Sequence, residues 1–295
     1  MQKTELTRVL VFGETGVGKT SLCNVLAGRS RPTDNGAQGV TAKTHVYGKF
    51  EHEGRHIELV DTVGLHEADS GTVPADVAVQ QLVELLKHSR DGFSLLIHVA
   101  KAGRLTKDQE QDYEFFVSKM TNGSIPVILV LTGCENEDPM DAWVQRNGRH
   151  FARFAYRDLI ATCFASGGPL DEHYAPLRSH SRAAVLSSIT TRALLAPVLL
   201  YGPETGRTVG DVLRSLWNDF VDMAGLPAEY RAKTNESIHR LMRRIGVPKP
   251  IADAAIKHIP ELAEELLNKT PIPFAGKAAK AALTKILQRI LAKPS

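Results

Sequence analysis

The sequence has few cysteines, few aromatic residues and no long apolar run. Its three cysteines, Cys23, Cys134 and Cys163, lie far apart, and no two of them form a C-x-x-C pair. This spacing argues against a disulfide scaffold or a structural zinc site and suits a reducing compartment. The longest apolar stretches, such as residues 126–131, are far shorter than the roughly 20 residues that a membrane-spanning helix needs. These absences predict a cytoplasmic protein.

The chain also lacks a strong excess of one charge. Its formal net charge is +3, which gives no electrostatic reason to expect nucleic acid as a partner. With 43% hydrophobic and 23% charged residues, the composition is that of a globular protein. The small basic excess lies in the last third, because residues 196–295 carry 15 lysines and arginines against 10 aspartates and glutamates.

Short apolar runs alternate with helical patterns over the first two thirds of the chain. The runs at 8–12, 93–100 and 125–131 are typical of buried strands, and polar loops follow their carboxyl ends. Two further runs, 46–51 and 55–60, flank a short turn and predict a hairpin. We therefore predict an α/β fold with a mostly parallel, doubly wound sheet that has one antiparallel edge strand.

The pattern changes near residue 203, where strand-like runs stop and helical segments are separated by prolines. We predict an α/β domain over residues 1–202 and a helical C-terminal extension over residues 203–295. Residues 274–293 are basic, and from Leu283 onwards apolar residues recur at i, i+3, i+4, i+7 and i+8, which predicts an amphipathic helix. Such a helix either packs on its own domain or binds a partner protein or an intracellular membrane surface.

One glycine-rich stretch carries the clearest chemical signal. Residues 13–21 read GETGVGKTS and fit the pattern G-x-x-x-x-G-K-[ST] between a predicted strand and a predicted helix. The glycines let backbone N–H groups turn towards phosphate oxygens, and the helix adds the positive end of its dipole. Lys19 is expected to reach the β- and γ-phosphates, and the Thr20 hydroxyl to bind Mg²⁺. The predicted contacts of this loop with a nucleotide involve Gly13, Glu14, Thr15, Gly16, Val17, Gly18, Lys19, Thr20 and Ser21.

A second motif, DTVG at residues 61–64, stands at the end of a predicted strand. An aspartate there can orient a Mg²⁺-bound water, and the Gly64 N–H can approach a γ-phosphate. The polar loop between the two motifs contains Thr41 and Thr44, which spacing alone does not separate; we favour Thr41 as the group that completes the Mg²⁺ shell. The predicted metal ligands are Thr20, Thr41 and Asp61, and the predicted catalytic groups include Lys19, Thr41 and Gly64.

Together these segments resemble a known family. GETGVGKTSLCNVLAG, VTAKTH and ELVDTVGL resemble the AIG-type G domain of the immunity-associated GTPases (the GIMAP family), on the septin-like side of the P-loop GTPases. Residues 103–106, GRLT, are similar to that family's Gly-Arg-aromatic-Thr segment, and the likeness covers residues 6–195. The resemblance implies GTP or GDP with Mg²⁺ and a nucleotide-dependent homodimer across the site. Arg104 is then a candidate arginine finger, offered in trans.

The sequence departs from this family where the base is recognised. A strand ending in N-K-x-D or T-[KR]-x-D is usual there, but residues 132–135 read TGCE. Glu135 would replace the aspartate that accepts hydrogen bonds from guanine, whereas Gly133 cannot supply the lysine stem that packs on the base. The predicted base contacts are Thr132, Glu135, Ala165 and Ser166. The alternative is an ATP-binding or nonselective P-loop NTPase.

A further departure concerns hydrolysis. Ras-like switches carry a glutamine directly after DxxG, but Leu65 stands at this position and has no hydrogen-bonding group. We therefore expect slow intrinsic GTP hydrolysis that dimerisation enhances. A scaffold that is stabilised by its nucleotide and has no significant turnover is the second alternative.

Overall fold

The computed structural model describes residues 6–29, 44–62, 85–86, 88–166 and 169–207, and the single positions 212, 215, 216, 219 and 222. The chain divides into two compact units. The first unit comprises Met1–Gly71 and His88–Leu200, and the second comprises Thr72–Lys87 and Tyr201–Ser295. The predicted division at residue 202 into an α/β domain and a helical extension stays a prediction, because most of the second unit lies outside the described residues.

Six strands of the first unit form one sheet in the order β2-β3-β1-β4-β5-β6. All neighbouring pairs are parallel except β2 and β3, which are antiparallel. The predicted fold class, a mostly parallel P-loop sheet with one antiparallel edge strand, is therefore confirmed. The strands are β1 (Leu6–Phe12), β2 (His45–His52), β3 (Arg55–Asp61), β4 (Leu95–Lys101), β5 (Val127–Thr132) and β6 (Tyr156–Ala161).

Four helices accompany these strands within the described part of the first unit. The helix α2 continues directly into a π-helical turn over Glu114–Met120, and α3 into a 3₁₀ turn over Gly148–Phe151. In the second unit, a short 3₁₀ turn covers Pro203–Thr205. The helices are α1 (Lys19–Ala27), α2 (Lys107–Tyr113), α3 (Ala142–Asn147) and α4 (Asp171–Arg192).

The sheet core explains why the central strands read as unbroken apolar runs. In β4 and β5 the residues Leu95–Ala100 and Val127–Thr132 are all buried, as expected for parallel strands that are covered on both faces. One apolar cluster joins β1, β3 and β4 to α1 and α4, and a second joins the ends of β4, β5 and β6 to Phe151. The site described below lies at the carboxyl ends of these rigid strands.

The hairpin and the edge strand β6 differ from prediction in detail. A positive φ of 48° at Glu53 and of 75° at Gly54 closes the β2–β3 turn. The apolar run over residues 158–164 predicts a last strand, but in the structure this strand begins earlier, at Tyr156, and ends at Ala161. Tyr156 pairs with Val127 and its hydroxyl contacts the ring of His98 at 2.7 Å. This polar contact joins β6 to β4 at a point two residues before the predicted start of β6. The spacing of apolar residues does not reveal it.

The long helix α4 contacts both the end of α1 and the segment that follows β6. Arg182 donates from Nε to the Val25 carbonyl (3.0 Å) and from Nη2 to the Leu26 carbonyl (3.2 Å), which caps the end of α1. Arg178 donates to the Ala165 carbonyl (2.8 Å) and pairs with Asp171 (3.0 Å). Within the described residues, no helix is long and apolar enough to cross a membrane.

Candidate functional site

The loop between β1 and α1 turns sharply at its glycines. Gly13 has φ +140°, and a Cβ there would lie 2.1 Å from the Val99 carbonyl oxygen of the neighbouring strand. Gly16 and Gly18 have φ +73° and +97°, both in the left-handed region that favours glycine. A side chain at position 13 would collide with β4, so the first glycine is required by packing as well as by backbone conformation.

Lys19 lies inside this loop rather than in solvent. Its side chain donates from Nζ to the carbonyl oxygens of Gly13 (2.8 Å) and Glu14 (2.7 Å), and the residue is only 7% exposed. Because an ammonium group donates hydrogen bonds to phosphate oxygens as readily as to carbonyls, this position places a cation at the centre of the predicted phosphate site.

The structure joins two of the three predicted metal ligands. The Thr20 hydroxyl donates to Oδ2 of Asp61 at 2.9 Å, and Asp61 is fully buried at the end of β3. Asp61 is placed there by the β1–β3 register, in which it pairs with Val11, and Thr62 donates twice to the Val11 carbonyl. Hydroxyl and carboxylate oxygens are the hard ligands that Mg²⁺ prefers, so this pair fits the predicted role.

The other predicted phosphate-sensing residues cannot be placed. Thr41, Gly64 and Leu65 lie outside the described residues. Thr44, the alternative to Thr41, is buried directly before β2. Among the described residues no group of three or more histidines, cysteines, aspartates or glutamates could hold a metal ion.

The thiol of Cys23, on α1, is held in the neutral form. Burial raises its pKa well above the ordinary value; the Asp61 carboxylate adds to the rise, and the Lys19 ammonium opposes it. A thiol held in the neutral form is a poor nucleophile. Cys23, Cys134 and Cys163 are all free and buried, as the cysteine spacing predicts, and Cys23 acts as an apolar packing residue of α1.

A contact that the sequence analysis missed ties the phosphate loop to α2. The Thr106 hydroxyl donates to the Glu14 carboxylate and also accepts from the Gln109 N–H at 3.1 Å. The Gln109 side chain in turn accepts from the Thr106 N–H, so the pair forms a capping box. The sequence T-x-x-Q at 106–109 carries this signal. The last residue of GRLT therefore both starts α2 and holds the side chain of Glu14.

Arg104 stands in the same connection, between β4 and α2. It is exposed, and within the described part of the chain its guanidinium makes no hydrogen bond or ion pair. An unengaged guanidinium beside the phosphate loop is compatible with the predicted contact to a second molecule.

The predicted base-contacting residues come together from the ends of β5 and β6. The Cys134 N–H donates to the Thr162 carbonyl at 3.2 Å, which joins the two loops. Burial raises the pKa of both Cys134 and Cys163, and the Glu135 carboxylate adds to both shifts. Ala165 is half-buried and is held by Arg178, whereas Ser166 is exposed.

Thr132, a predicted base contact, also has a partner in the phosphate loop. Its hydroxyl donates to the Val17 carbonyl of the phosphate loop at 2.7 Å, and its methyl group would contact a Cβ at Gly18. Thr132 thus fixes the loop against β5, so its closest described contact is with the phosphate loop. A cavity of about 650 Å³ lies elsewhere, at the amino ends of β5 and β6 near Pro126 and Arg157.

Comparison with known proteins places the similarity in the part of the chain that carries this site. Residues 8–133 match the family model described as 50S ribosome-binding GTPase. GTPase Der from Mesorhizobium japonicum is 28% identical over 140 residues, 46% of this chain and 27% of that protein. GTPase IMAP family member 8 from Rattus norvegicus is 27% identical over 134 residues, 44% of this chain and 19% of that protein.

The solved structures that match the chain are more distant in sequence. Era in complex with MgGDPNP and a segment of 16S ribosomal RNA is 19% identical, with a TM-score of 0.47 and coverage of 68% of this chain and 60% of that one. The chain spans about a quarter of the length of the curated relatives that head the comparison. The similarity therefore concerns the phosphate loop, Asp61 and the strand that ends at Thr132, and not whole proteins.

Proposed function

We propose that this chain binds GTP and GDP together with Mg²⁺ and hydrolyses GTP slowly. The observation that carries the proposal is the hydrogen bond from Thr20 to the buried carboxylate of Asp61, beside a Lys19 ammonium held inside the loop. A hydroxyl and a carboxylate at one point suit Mg²⁺, and the neighbouring lysine suits the phosphates that the metal bridges. The matched family model and the GTPases with similar sequences support this assignment.

The choice of guanine rests on Glu135. A carboxylate can accept hydrogen bonds from both guanine donors, and adenine would leave it unpaired in the site, so a well-placed Glu135 gives strong discrimination. Glutamate is one methylene longer than the usual aspartate, and the preceding Gly133 has φ +80°. This geometry motivates the alternative, an ATP-binding or nonselective NTPase of the same fold.

Hydrolysis would be the attack of water on the γ-phosphate, with charge stabilised by Lys19 and Mg²⁺. Leu65 cannot orient the attacking water, which supports a slow intrinsic rate. An exposed Arg104 supports a nucleotide-dependent homodimer in which each molecule offers a guanidinium to its partner's phosphates. The resemblance to AIG-type G domains, including that of the rat IMAP protein, supports the same arrangement.

The decisive experiment is a binding titration of the full chain with fluorescent GDP, GTP and ATP in the presence of Mg²⁺. We expect the guanine nucleotides to bind at least about tenfold more tightly than ATP, because Glu135 pairs with guanine alone. Lys19→Ala should abolish binding of all three, whereas Lys49→Ala on the edge strand should have no effect. Equal affinities for GTP and ATP would support the nonselective NTPase instead.

Phosphate release under multiple turnover tests the second alternative. Slow release from GTP supports the proposed reaction. No release at any protein concentration, from a chain that does bind GTP, would support a scaffold that is stabilised by its nucleotide.

We further propose that the protein is cytoplasmic and that residues 274–293, which lie outside the described residues, attach it to an anionic membrane surface. The support is the basic amphipathic pattern of that segment. Full-length protein should co-sediment with vesicles containing phosphatidylserine, and exchanging Lys285 and Arg289 for glutamate should remove this binding. Equal sedimentation of the two proteins would contradict membrane attachment.

A further inference from the structure

A lysine from a different strand covers the glycine at the centre of the predicted base-recognition motif. Gly133 lacks a side chain, but a Cβ built at this position would lie 3.6 Å from both Cγ and Cε of Lys101. These are the atoms nearest to that point, apart from its chain neighbours. The methylene stem of Lys101 therefore occupies the space beside the Gly133 backbone that a side chain of residue 133 would otherwise enter.

The strand register fixes this placement. Lys101 is the last residue of β4 and pairs with Thr132, the last residue of β5. The next backbone hydrogen bond, from the Ala102 N–H to the Thr132 carbonyl at 2.8 Å, continues the pairing to the point where β5 ends. The position of the Lys101 backbone is therefore set by the central strands of the sheet and not by a loose loop.

The stem lies between the two ends of the predicted nucleotide site. On one side, Thr132 is bonded to the Val17 carbonyl of the phosphate loop. On the other side, Glu135 follows Gly133 by two residues, and the Cys134 N–H between them donates to the Thr162 carbonyl after β6. A nucleotide that binds its phosphates in the loop and its base at Glu135 must place the ring of that base over the Lys101 stem.

The chemistry of Lys101 suits the face of an aromatic base. Lysine stems cover apolar surface while the ammonium group stays in water, and an ammonium over a ring is attracted to the π-system. Lys101 is exposed, and within the described part of the chain it has no hydrogen bond or ion pair. Its ammonium is therefore available to a ligand.

We infer that Lys101 packs on the face of the nucleotide base and so replaces in space the side chain that Gly133 lacks. This inference rests on the proposed nucleotide binding and assigns the two recognition tasks to different residues. Lys101 holds any purine by its face, whereas Glu135 distinguishes guanine from adenine by its edge.

The test measures the affinity of the full-length protein for fluorescent GDP and ADP, and for unlabelled tripolyphosphate by competition. Lys101→Ala should weaken GDP and ADP binding by the same factor, about three- to tenfold, and leave tripolyphosphate unchanged because this probe has no base. Lys101→Met keeps an apolar stem of similar length and should retain affinity within about twofold. Lys49→Ala is the matched control, since Lys49 is an exposed lysine on the edge strand β2.

Each outcome bears on one proposal. Loss of tripolyphosphate affinity in Lys101→Ala would show a phosphate contact and overturn the inference, as would a GDP affinity equal to that of Lys49→Ala. A change in the GDP-to-ADP ratio in Lys101→Ala, with no change in Glu135→Ala, would also overturn it. A wild-type protein that binds none of the three ligands would instead refute the proposed function, so the two failures are distinguishable.

Discussion

Thr20 and Asp61 are the residues on which the proposed binding of Mg²⁺ depends. The hydroxyl and the carboxylate are 2.9 Å apart, and Asp61 is held at that place by the pairing of β3 with β1. A metal ion at this point would accept both oxygens as ligands. The role of each residue can therefore be tested by removing one oxygen at a time.

We predict that Thr20→Ala removes most of the contribution of Mg²⁺ to nucleotide affinity. The change deletes one ligand, and the loss should be at least about tenfold, since even indirect partners of metal ligands contribute that much. The measurement is the affinity for fluorescent GDP with Mg²⁺ and with EDTA. Thr20→Ser keeps the oxygen and should behave as the wild type. A full Mg²⁺ effect in Thr20→Ala would contradict the assignment.

His98 is a buried residue whose charge state links stability to pH. Its ring stacks on Phe12 with a centroid distance of 4.7 Å, and its Nδ1 lies 2.7 Å from the Tyr156 hydroxyl. Burial lowers the pKa of His98 to about 4; the Asp112 charge opposes the shift and Lys19 adds to it. An unfolded chain would hold this histidine near its ordinary pKa of about 6.5.

Between these two values the unfolded state binds more protons than the folded state, so the free energy of unfolding falls as the pH is lowered. We predict a loss of up to about 3 kcal/mol from this group between pH 6.5 and 4, and none above pH 7. His98→Asn offers Tyr156 a polar partner but does not titrate. Urea unfolding across this range should give a shallower pH slope for His98→Asn. Parallel slopes in the two proteins would contradict the prediction.

At the scale of single residues, the sequence predicted the positions of side chains that belong to a recognisable motif. Lys19, Thr20 and Asp61 belong to patterns with fixed spacing, and the structure brings them together. Thr106 and Lys101 were missed in these roles because their partners, Glu14 and Gly133, lie on other strands and loops. Contacts of this kind depend on strand order, which a pattern of apolar residues does not specify.

Among the elements, the phosphate loop is constrained most tightly by its neighbour β4. Position 13 lies against the Val99 carbonyl, whereas a Cβ at Gly16 would meet nothing within 4 Å. Both glycines have positive φ, +140° and +73°. Substitutions at Gly13 and Gly16 therefore distinguish a steric requirement for glycine from a requirement set by backbone conformation alone.

We predict that Gly13→Ala lowers the free energy of unfolding by about 1–3 kcal/mol more than Gly16→Ala does, because only the first change forces atoms of two strands apart. Gly16→Ala should cost about 1–2 kcal/mol from its left-handed backbone alone. The measurement is chemical unfolding without nucleotide, so that binding does not contribute. Equal losses in the two variants would mean that β4 yields to the extra methyl group.

Elements that run through the core were predicted better than those at its edge. The helix over residues 19–27 and the parallel strands around it follow from apolar periodicity and glycine positions alone. The sequence pattern over residues 142–154 predicts a single helix, but α3 ends at Asn147 and gives way to a 3₁₀ turn. The aromatic contacts of Phe151 with Trp143 and Phe154 form there, and such packing is not encoded in helical spacing.

For the molecule as a whole, the exposed guanidinium of Arg104 is the feature on which the proposed homodimer rests. We predict that the specific rate of phosphate release rises with protein concentration and that Arg104→Ala removes this rise, because a finger in trans stabilises the transition state by a factor of about 10³ or more. The assay measures phosphate release across protein concentrations. Arg149→Ala, another exposed arginine, is the control.

In the same experiment, Arg104→Ala should leave GDP affinity unchanged. A concentration dependence that persists in Arg104→Ala would exclude the residue as the trans-acting group. A flat rate in the wild type, at concentrations where a dimer is detected by sedimentation, would exclude enhancement by dimerisation.

The hydrogen bonds from Arg182 of α4 to the end of α1 also have a consequence for biosynthesis. Arg182 is 157 residues downstream of Val25, the first of the two carbonyl groups that it caps. During translation the end of α1 therefore lacks this cap until nearly the whole α/β unit has left the ribosome. Because chains elongate at only about 5–20 residues per second, this interval lasts for several seconds or more. Ribosome-bound chains that end before α4 should be cut by protease near residues 25–29, and chains that include α4 should resist, so the unit becomes resistant late and in one step.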